Sequence, residues 1–397
     1  MPGPLAGYKI VDLSQIVAGP LATMLLADQG AEVVKVEPTG TLGDVTRLLA
    51  FAKGGLSAFY LNNNRGKRSI ALDLKSDEGR AIFLELAAAA DIVVQNFRPG
   101  AVDRLGIGYE DVRAVNPAVI YCSVSGFGPS GPYADDPVLD PVIQGLCGMI
   151  SRQVNPALPT PDLVRQLVAD KSTALTVAQA LTAALLVREK TGEGQHVEVP
   201  MLDACLYFFW PDGMMDHTTL DDDASPGFLL STVYNVTSAS DGKFVFFVTT
   251  DRMRHALYDA VGHPEWKDDP RYCNMQAVAN PDNFRAIGAL LADAFRSITL
   301  ADALARLRRG QVPCGPILAA EEMLVDPQVV HNGSIVRWHH PLAGTVQQPA
   351  PAARFSVTPA AVAATASVKG GDTDAILAEL GRTAEQIDAL RAASVVE

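Results

Sequence analysis

The chain has 397 residues, of which 48% are hydrophobic and 19% charged. This is the composition of a globular protein with ample material for a core, so disordered and fibrous classes are excluded. The 32 basic and 45 acidic residues give a net charge of −13, which disfavours a surface that binds nucleic acid or anionic lipid but permits a local site for an anion.

The five cysteines are widely spaced and include no CxxC pair. This usage argues against a disulfide framework or a zinc ribbon and favours a reducing compartment. The N-terminal segment has neither the basic region nor the apolar stretch of a signal peptide. The longest apolar segment, residues 174–187, is too short to span a membrane. We therefore expect a cytoplasmic protein.

Strand and helix patterns alternate through the first half of the chain. Short helices are predicted near residues 101 and 109, and a long one at 171–190 that ends at Gly192. Alternating strands and helices are typical of a parallel sheet with helices on both faces, so we expect a Rossmann-like fold. The other elements predicted in this part are strands at 8–13, 31–37, 68–74, 91–96 and 119–125, and helices at 20–29 and 77–90.

The composition changes after residue 205, which indicates a second domain. We expect a linker at 206–227 and a smaller α/β domain at 228–325. That domain is predicted to contain a strand at 243–249 and helices at 251–261 and 282–308. A stretch rich in Pro and Ala then precedes two short C-terminal helices, and residues 1–205 and 330–397 are expected to form the large domain together.

Three polar loops are candidates for binding a phosphate-bearing ligand. The segment 12–20 opens a helix, whose free N–H groups suit phosphate, but it lacks the GxGxxG sequence of nicotinamide sites. The segments 62–68 and 96–104 contain several cations, and arginine binds phosphate through two hydrogen bonds. A structural turn or a solvated loop remains the alternative for each segment. Phe97 either stacks on a flat base or packs in the core.

Asp170 stands directly before the predicted long helix. Asp is a preferred N-cap, so its carboxylate is predicted to accept the first helical N–H groups. The alternative is a nucleophilic carboxylate that forms a covalent intermediate, and the two roles are compatible. Other catalytic classes lack their motifs, because the sequence contains no HExxH, no GxSxG and no P-loop lysine.

In this order, these segments resemble the family III CoA-transferases, the group of formyl-CoA:oxalate and carnitine CoA-transferases. The resemblance implies a Rossmann-like large domain built from both chain ends, a smaller α/β domain, and a homodimer of two interlocked rings. It spans nearly the whole chain, through VDLSQIVAGPLATMLLADQGAEVVKVEP, NRGKRSIALDLKSDEGR, DIVVQNFRPGAVDRLG, NPAVIYCSVSGFGPSGPY, REKTGEGQHVEVPMLDA, HPEWKDDPRY and VPCGPI.

The resemblance also implies the site and its chemistry. Asp170 corresponds to the family's catalytic aspartate, which attacks an acyl-CoA and then carries the CoA before a second carboxylic acid takes it. Neither a metal nor a redox cofactor is implied, and coenzyme A enters only as part of the substrates. The positions that correspond to CoA-contacting loops are Val17, Ala18, Leu72, Asp73, Leu74, Lys75, Asn96, Phe97, Arg98 and Arg104, and those at the acyl site are Leu139 and Asp140.

Two other functions are compatible with the same resemblance. The α-methylacyl-CoA racemases of this superfamily remove an α-proton with a histidine and an aspartate. Leu139 stands where that histidine would be, and the first histidine of the chain is His196. We therefore expect a CoA-transferase, with an acyl-CoA racemase or isomerase as the alternative. A CoA-binding protein without catalysis would keep the loops but have no use for Asp170.

Overall fold

The structure is a computed structural model that describes residues 3–153, 161–221, 230–362 and 365–397. The described residues form two compact units. One contains residues 3–153, 161–211 and 328–397, and the other contains residues 212–221 and 230–327. Part of the predicted linker, residues 222–227, lies outside the described residues, as do the first residues of the predicted small domain, 228 and 229. The predicted domain boundaries stay a prediction.

The first unit begins with alternating strands and helices. All strands and helices predicted before residue 126 are present within a few residues of their predicted bounds. In chain order the elements are β1 (Lys9–Asp12), α1 (Ala18–Asp28), β2 (Glu32–Pro38), β3 (Ala52–Lys53), β4 (Leu56–Ser57), α2 (Ala58–Asn64), β5 (Lys67–Leu72), α3 (Asp77–Ala88), β6 (Ile92–Gln95), α4 (Ala101–Arg104), α5 (Tyr109–Val115), β7 (Ile120–Ser125), α6 (Asp140–Leu146), α7 (Met149–Arg152), α8 (Val168–Thr191), β8 (Gln195–Pro200) and α9 (Met201–Gly213).

Six of these strands form a parallel sheet in the order β5-β2-β1-β6-β7-β8. Counted along the chain, this is the 3-2-1-4-5-6 order of a Rossmann fold, so the expected parallel sheet is confirmed. Strand β6 is buried along its whole length, as expected for a central parallel strand covered on both faces. The strand order reverses between β1 and β6, and ligands bind in the crevice beyond the carboxyl ends of such strands.

The second unit has its own sheet and core. Its elements are β9 (Thr237–Ser238), β10 (Lys243–Phe246), α10 (Asp251–Val261), α11 (Met275–Val278), α12 (Pro281–Arg296), α13 (Leu300–Arg309), β11 (Cys314–Pro316) and α14 (Ala320–Leu324). The three strands are antiparallel, and Phe244, Tyr258 and Phe295 lie in the core. A single helix at 282–308 is wrong, because Thr299 accepts a hydrogen bond from the backbone of Asp302 and so caps a separate helix, α13.

The chain then continues through α15 (Pro327–Asn332), β12 (Ile335–His340), β13 (Gly344–Pro349), α16 (Thr373–Glu379) and α17 (Ala384–Ala392). Strands β12 and β13 form an antiparallel hairpin. The two C-terminal helices confirm the predicted pair, and Ile376 and Ile387 share a core with Val36 and Ile70 of the large sheet. Among the described residues, no helix combines the length and apolarity that crossing a membrane requires.

Candidate active site

The loops that follow β1 and β6 are joined at the point where the strand order reverses. The side-chain amide of Asn96 accepts a hydrogen bond from the backbone N–H of Gln15 at 2.8 Å and donates one to its carbonyl oxygen at 2.7 Å. Val17 is the N-cap of α1, and Ala18 is its first residue. The structure therefore brings Asn96 close to the beginning of α1, at the carboxyl edge of the sheet.

The conformation of the loop before α1 is unusual. Ile16 has φ +73°, a left-handed conformation that is strained for a β-branched residue. A Cβ atom on Gly19 would lie 2.3 Å from the Cβ and Oγ atoms of Ser14, so glycine is required there by close packing. No hydrogen bond joins the backbone N–H groups of Val17 and Ala18 to an acceptor in the described part of the chain. These N–H groups are available to an anion.

Three of the predicted CoA-contacting residues are exposed cations at the same edge. Lys75 follows β5, Arg98 follows β6, and Arg104 ends the short helix α4. None of them forms an ion pair with a described residue, in contrast to most of the other arginines near the sheet. No carboxylate of the described residues neutralises their charges in an ion pair, as expected of side chains that bind an anionic ligand.

The remaining predicted contact residues occupy different environments. Val17, Ala18 and Leu72 are buried and offer a ligand only their backbone. Leu74 and Phe97 pack against the hydrophobic core, which favours the packing role predicted as one alternative for Phe97. Asp73 stabilises its own turn, because its carboxylate accepts a hydrogen bond from the backbone N–H of Lys75 at 3.1 Å.

The interpretation of the basic segment 62–68 as a phosphate-binding loop is wrong. Arg65 donates two hydrogen bonds to buried Asp28, at 3.0 and 2.6 Å. The Lys67 ammonium lies 2.8 Å from Asp12, and both side chains are buried. Arg68 forms a bidentate ion pair with Glu379. Partners within the fold therefore neutralise all three cations.

Asp170 lies inside α8 and is not its N-cap, so the predicted capping role is wrong. The helix begins at Val168, with Leu167 as the N-cap and Asp170 in the first turn. The carboxylate of Asp140, at the beginning of α6, accepts a hydrogen bond from the backbone N–H of Asp170 at 2.9 Å. A side chain from another helix therefore caps the backbone N–H of Asp170. Helix α8 begins two residues before Asp170, and the Asp170 side chain is not its cap.

Asp140 is itself fixed by hydrogen bonds. Its other carboxylate oxygen accepts a hydrogen bond from the side-chain amide of Gln144 at 2.6 Å. The amide oxygen of Gln144 accepts one from the backbone N–H of Val164 at 3.0 Å, so Gln144 also holds the chain before α8. Asp140 is only 2% exposed. The carboxylate that contacts the Asp170 backbone is therefore rigidly placed.

The electrostatic environment makes Asp170 unusually basic. Burial and the nearby charge of Asp140 raise the pKa of the Asp170 carboxyl to about 7. Within the described residues, no hydrogen bond or ion pair engages its carboxylate oxygens, and the hydrogen bond to Asp140 uses its backbone N–H. A carboxylate that is basic, 7% exposed and unbonded is suited to attack an electrophile.

The topology places Asp170 at the ligand-binding edge of the sheet. Helix α1 follows parallel strand β1, so it begins at the carboxyl edge of the sheet. Helix α8 precedes parallel strand β8, so it must run towards the amino edge, and its first turn lies at the carboxyl edge. The two helices contact each other along the sheet. Asp170 therefore lies at the same edge as the loops after β1, β5 and β6.

A pH profile checks this electrostatic account. If Asp170 is the nucleophile that the sequence predicts, only its ionised carboxylate attacks, so kcat/KM of the wild type is expected to rise with pH, with a midpoint of about 7. Asp140→Asn removes the negative charge near Asp170 but leaves Asp170 buried, so the midpoint of the variant is expected at a lower pH than that of the wild type. Initial rates between about pH 5 and pH 9 measure both midpoints. A variant midpoint at or above that of the wild type would contradict the account.

Two residues of this arrangement were missed in the sequence. Gln144 is four residues after Asp140, the spacing at which side chains on one helix interact, but α6 was not predicted. Gln15 contributes backbone atoms only, and no side-chain pattern identifies such a contact. Leu139, by contrast, was predicted at the acyl site and is 59% exposed at the N-cap of α6.

Comparisons with known proteins identify the family of this chain. Residues 5–373 match the model of CoA-transferase family III. The acetyl-CoA:oxalate CoA-transferase of Acetobacter aceti is 35% identical, over 84% of this chain and 86% of that protein. The succinyl-CoA:glutarate CoA-transferase of Homo sapiens is 32% identical, over 99% and 90% respectively.

A solved structure has the same fold. A CAIB/BAIF family protein from Brucella suis superimposes with a TM-score of 0.81 and 32% identity, covering 96% of this chain and all of that one. The resemblance found in the sequence is confirmed by these matches. The protein is a CoA-transferase enzyme, and the chain belongs to CoA-transferase family III.

Proposed function

We propose that the enzyme moves CoA from an acyl-CoA donor to a carboxylic acid through covalent intermediates on Asp170. The observation that carries this proposal is the Asp170 carboxylate itself. It has a raised pKa of about 7, has no hydrogen-bond partner among the described residues, and lies at the ligand-binding edge of a Rossmann-like sheet.

In the proposed reaction, the acyl group and the CoA exchange places on Asp170. A carboxylate oxygen of Asp170 attacks the thioester carbonyl, and the CoA thiolate leaves to give a mixed anhydride. The thiolate then attacks the aspartyl carbonyl, which releases the donor acid and leaves an aspartyl-CoA thioester. The acceptor carboxylate repeats both steps in reverse. Keeping the CoA bound makes each attack effectively intramolecular, which contributes up to about 7–11 kcal/mol.

Asp140 is proposed as a positioning residue for this chemistry. It binds the backbone of Asp170 and not the reacting oxygen atoms. Its charge raises the pKa of Asp170, which increases the nucleophilicity of the carboxylate once ionised. The same charge disfavours an ionised resting state, and acylation of Asp170 removes the repulsion because the ester-like intermediates are neutral.

The three uncompensated cations and the free N–H groups of α1 are proposed to bind the phosphates of CoA. Charge-assisted hydrogen bonds to phosphate are stronger than neutral ones. Lys75→Gln combined with Arg104→Gln is therefore expected to raise KM for the acyl-CoA donor about tenfold, the equivalent of about 1.4 kcal/mol. The KM for the acceptor acid and the value of kcat are expected to change little. Initial-rate kinetics with each substrate varied in turn measure these constants.

Arg113→Gln is the matched control for that double variant. Arg113 is an exposed arginine of the same unit, it lies on α5, and Glu110 is its partner at 3.7 Å. It is expected to leave both KM values unchanged. An unchanged donor KM in the double variant would exclude Lys75 and Arg104 from CoA binding.

Deuterium incorporation and mass spectrometry distinguish the racemase alternative from the transferase. Leu139 offers no titratable group at the position of the racemase histidine. A transferase incubated with an acyl-CoA in deuterated water is expected to form a covalent adduct on Asp170 without incorporating deuterium at the α-carbon. A racemase would incorporate deuterium without an adduct, and a non-catalytic CoA-binding protein would do neither.

The homodimer remains part of the proposal. Large apolar side chains are exposed on two helices of the first unit, which is the pattern of a surface covered by a second protein. They are Leu175, Leu186 and Val187 on α8, and Tyr207, Phe208 and Trp210 on α9. A solution mass of twice 42.1 kDa by light scattering is expected, and a stable monomer would contradict the dimer. The interlocked rings and the cytoplasmic location stay predictions.

A further inference from the structure

Two buried thiols lie next to each other beside the helices that hold Asp170. The Sγ atoms of Cys147 and Cys205 are 3.4 Å apart, although the residues are 58 positions apart in the chain. Cys147 directly follows α6, and Cys205 lies in α9. Both side chains are buried, and the thiols are free in the structure. The proposed reaction uses neither of them.

The thiol pair is connected to the surroundings of the nucleophile. The thiol of Cys147 lies 3.5 Å from the carbonyl oxygen of Gln144, the residue that holds Asp140. Asp140, the residue that Gln144 holds, accepts a hydrogen bond from the backbone N–H of Asp170 in α8. A change in this thiol pair therefore acts on α6 and, through that hydrogen bond, on the first turn of α8.

We propose that Cys147 and Cys205 form a reversible disulfide in the presence of a hydroperoxide, and that this disulfide inactivates the enzyme. The thiol pair is a modification site that is separate from the substrate-binding loops. The inactivation rests on the proposed function of Asp170, whereas the formation of the disulfide does not.

The chemistry balances with hydrogen peroxide as the oxidant. The Cys147 thiolate attacks one peroxide oxygen, the O–O bond breaks, and hydroxide leaves, so that Cys147 becomes a sulfenic acid. The sulfur of Cys205 then attacks the sulfenic sulfur. The S–S bond forms, the S–O bond breaks, and the hydroxide takes up the Cys205 proton as water. Overall, two thiols are oxidised by two electrons, and one peroxide is reduced to two waters.

The five cysteines differ in how readily they begin this reaction. A hydrogen bond with Cys205 lowers the pKa of the Cys147 thiol, so Cys147 is the thiol of the pair that ionises first. Burial raises the pKa of the Cys122 thiol to about 12, which keeps that residue protonated and unreactive. The resolving thiol is already adjacent to Cys147.

The disulfide changes the geometry at the nucleophile. A disulfide requires a sulfur separation of about 2.0 Å, so the two atoms must approach by more than 1 Å from their present 3.4 Å. We expect this approach to draw the end of α6 towards α9 and to displace Gln144 and Asp140. The hydrogen bond from the Asp170 backbone to Asp140 is 2.9 Å long and does not survive a shift of that size unchanged.

The test treats the enzyme with hydrogen peroxide, alkylates the remaining thiols, and maps disulfides by mass spectrometry without reduction. We expect a peptide pair joined through Cys147 and Cys205, at least a tenfold loss of CoA-transfer activity, and recovery after dithiothreitol. Cys147→Ser is expected to form no such pair and to keep its activity under the same treatment. Cys273→Ser is the matched control, and it is expected to respond as the wild type does.

Three results would overturn the proposal. The first is alkylation of both Cys147 and Cys205 after the treatment, which excludes the disulfide. The second is a mapped disulfide with full activity, which excludes inactivation. The third is an equal loss of activity in Cys147→Ser, which assigns the inactivation to another residue. Because the disulfide is read by mass, its result stands even if Asp170 proves not to be the nucleophile.

Discussion

Asp170→Asn is expected to lower CoA transfer by at least about 10³-fold, because an amide does not form the mixed anhydride. The substitution keeps the size of the side chain and leaves the backbone N–H that donates to Asp140. The loss is therefore expected in kcat, with the affinity for the acyl-CoA donor nearly unchanged. Single-turnover kinetics together with equilibrium binding of CoA separate the two effects.

The same variant is expected to be more stable than the wild type at about pH 8. Burial and Asp140 raise the folded-state pKa of Asp170 from 3.8 to about 7. The folded protein then binds more protons than the unfolded chain between these values, so ionisation of Asp170 costs stability as the pH rises through this range. Removing the charge is expected to increase the free energy of unfolding at pH 8 by roughly 1–4 kcal/mol.

Urea unfolding at about pH 8 measures this gain, and Asp203→Asn is the matched control. Asp203 is exposed on α9 and has no ion pair within the described residues, so its change is expected to stay within about 0.5 kcal/mol. A helix-capping role for Asp170 would instead predict a loss of about 0.5–2 kcal/mol in Asp170→Ala.

Turnover retained by Asp170→Asn, with deamidation excluded by mass, would eliminate Asp170 as the nucleophile.

Asp12→Ala is expected to destabilise the protein by about 3–5 kcal/mol, because it leaves the buried Lys67 ammonium without its carboxylate. Asp12 is fully buried at the end of β1, with the Lys67 ammonium at 2.8 Å and the Thr23 hydroxyl donating at 2.7 Å. Burial alone would raise the pKa of Asp12, yet Lys67 and Lys35 hold it well below its usual range. Burial lowers the pKa of Lys67 to about 8 even with Asp12 present.

Denaturant unfolding of Asp12→Ala and of a double variant separates charge from packing. Asp12→Ala combined with Lys67→Met removes the stranded ammonium, so it is expected to recover part of the loss. Asp293→Ala is the control, because its ion pair with Arg296 is exposed and is expected to contribute less than about 1 kcal/mol. A change below about 1 kcal/mol in Asp12→Ala would contradict this account of the pair.

The central sheet could be predicted from the sequence because its strands are local apolar runs between turn residues. Strand β8 was missed because it is a half-exposed edge strand, QHVEVP, in which only Val197 and Val199 form an apolar face. Helix α6 was missed because it is only seven residues long and its sequence, DPVIQGL, contains both Pro and Gly, which are poor helix formers. Local pattern therefore predicted most elements of the sheet and missed two elements whose strand or helix signal is weak.

The errors at the site have a different physical origin, because they depend on partners far along the chain. Arg65 and Arg68 look like free cations in the sequence, but their carboxylates come from 37 and 311 positions away. Asp170 looks like an N-cap, but the capping carboxylate is Asp140, 30 positions earlier. The residue types, and their positions relative to the strands, predicted where the site lies. Hydrogen bonds and ion pairs between residues distant in the chain decided which side chains remain free.

Transfer of an oxygen atom to Asp170 tests the covalent role most directly. In the proposed reaction, the acceptor acid leaves one of its carboxylate oxygens on Asp170 when the new acyl-CoA is released. A single turnover with an acceptor labelled with oxygen-18 is therefore expected to place one heavy oxygen in the peptide that contains Asp170, as read by mass spectrometry. Formation of labelled acyl-CoA product with no heavy oxygen on Asp170, or with it on another residue, would contradict the account.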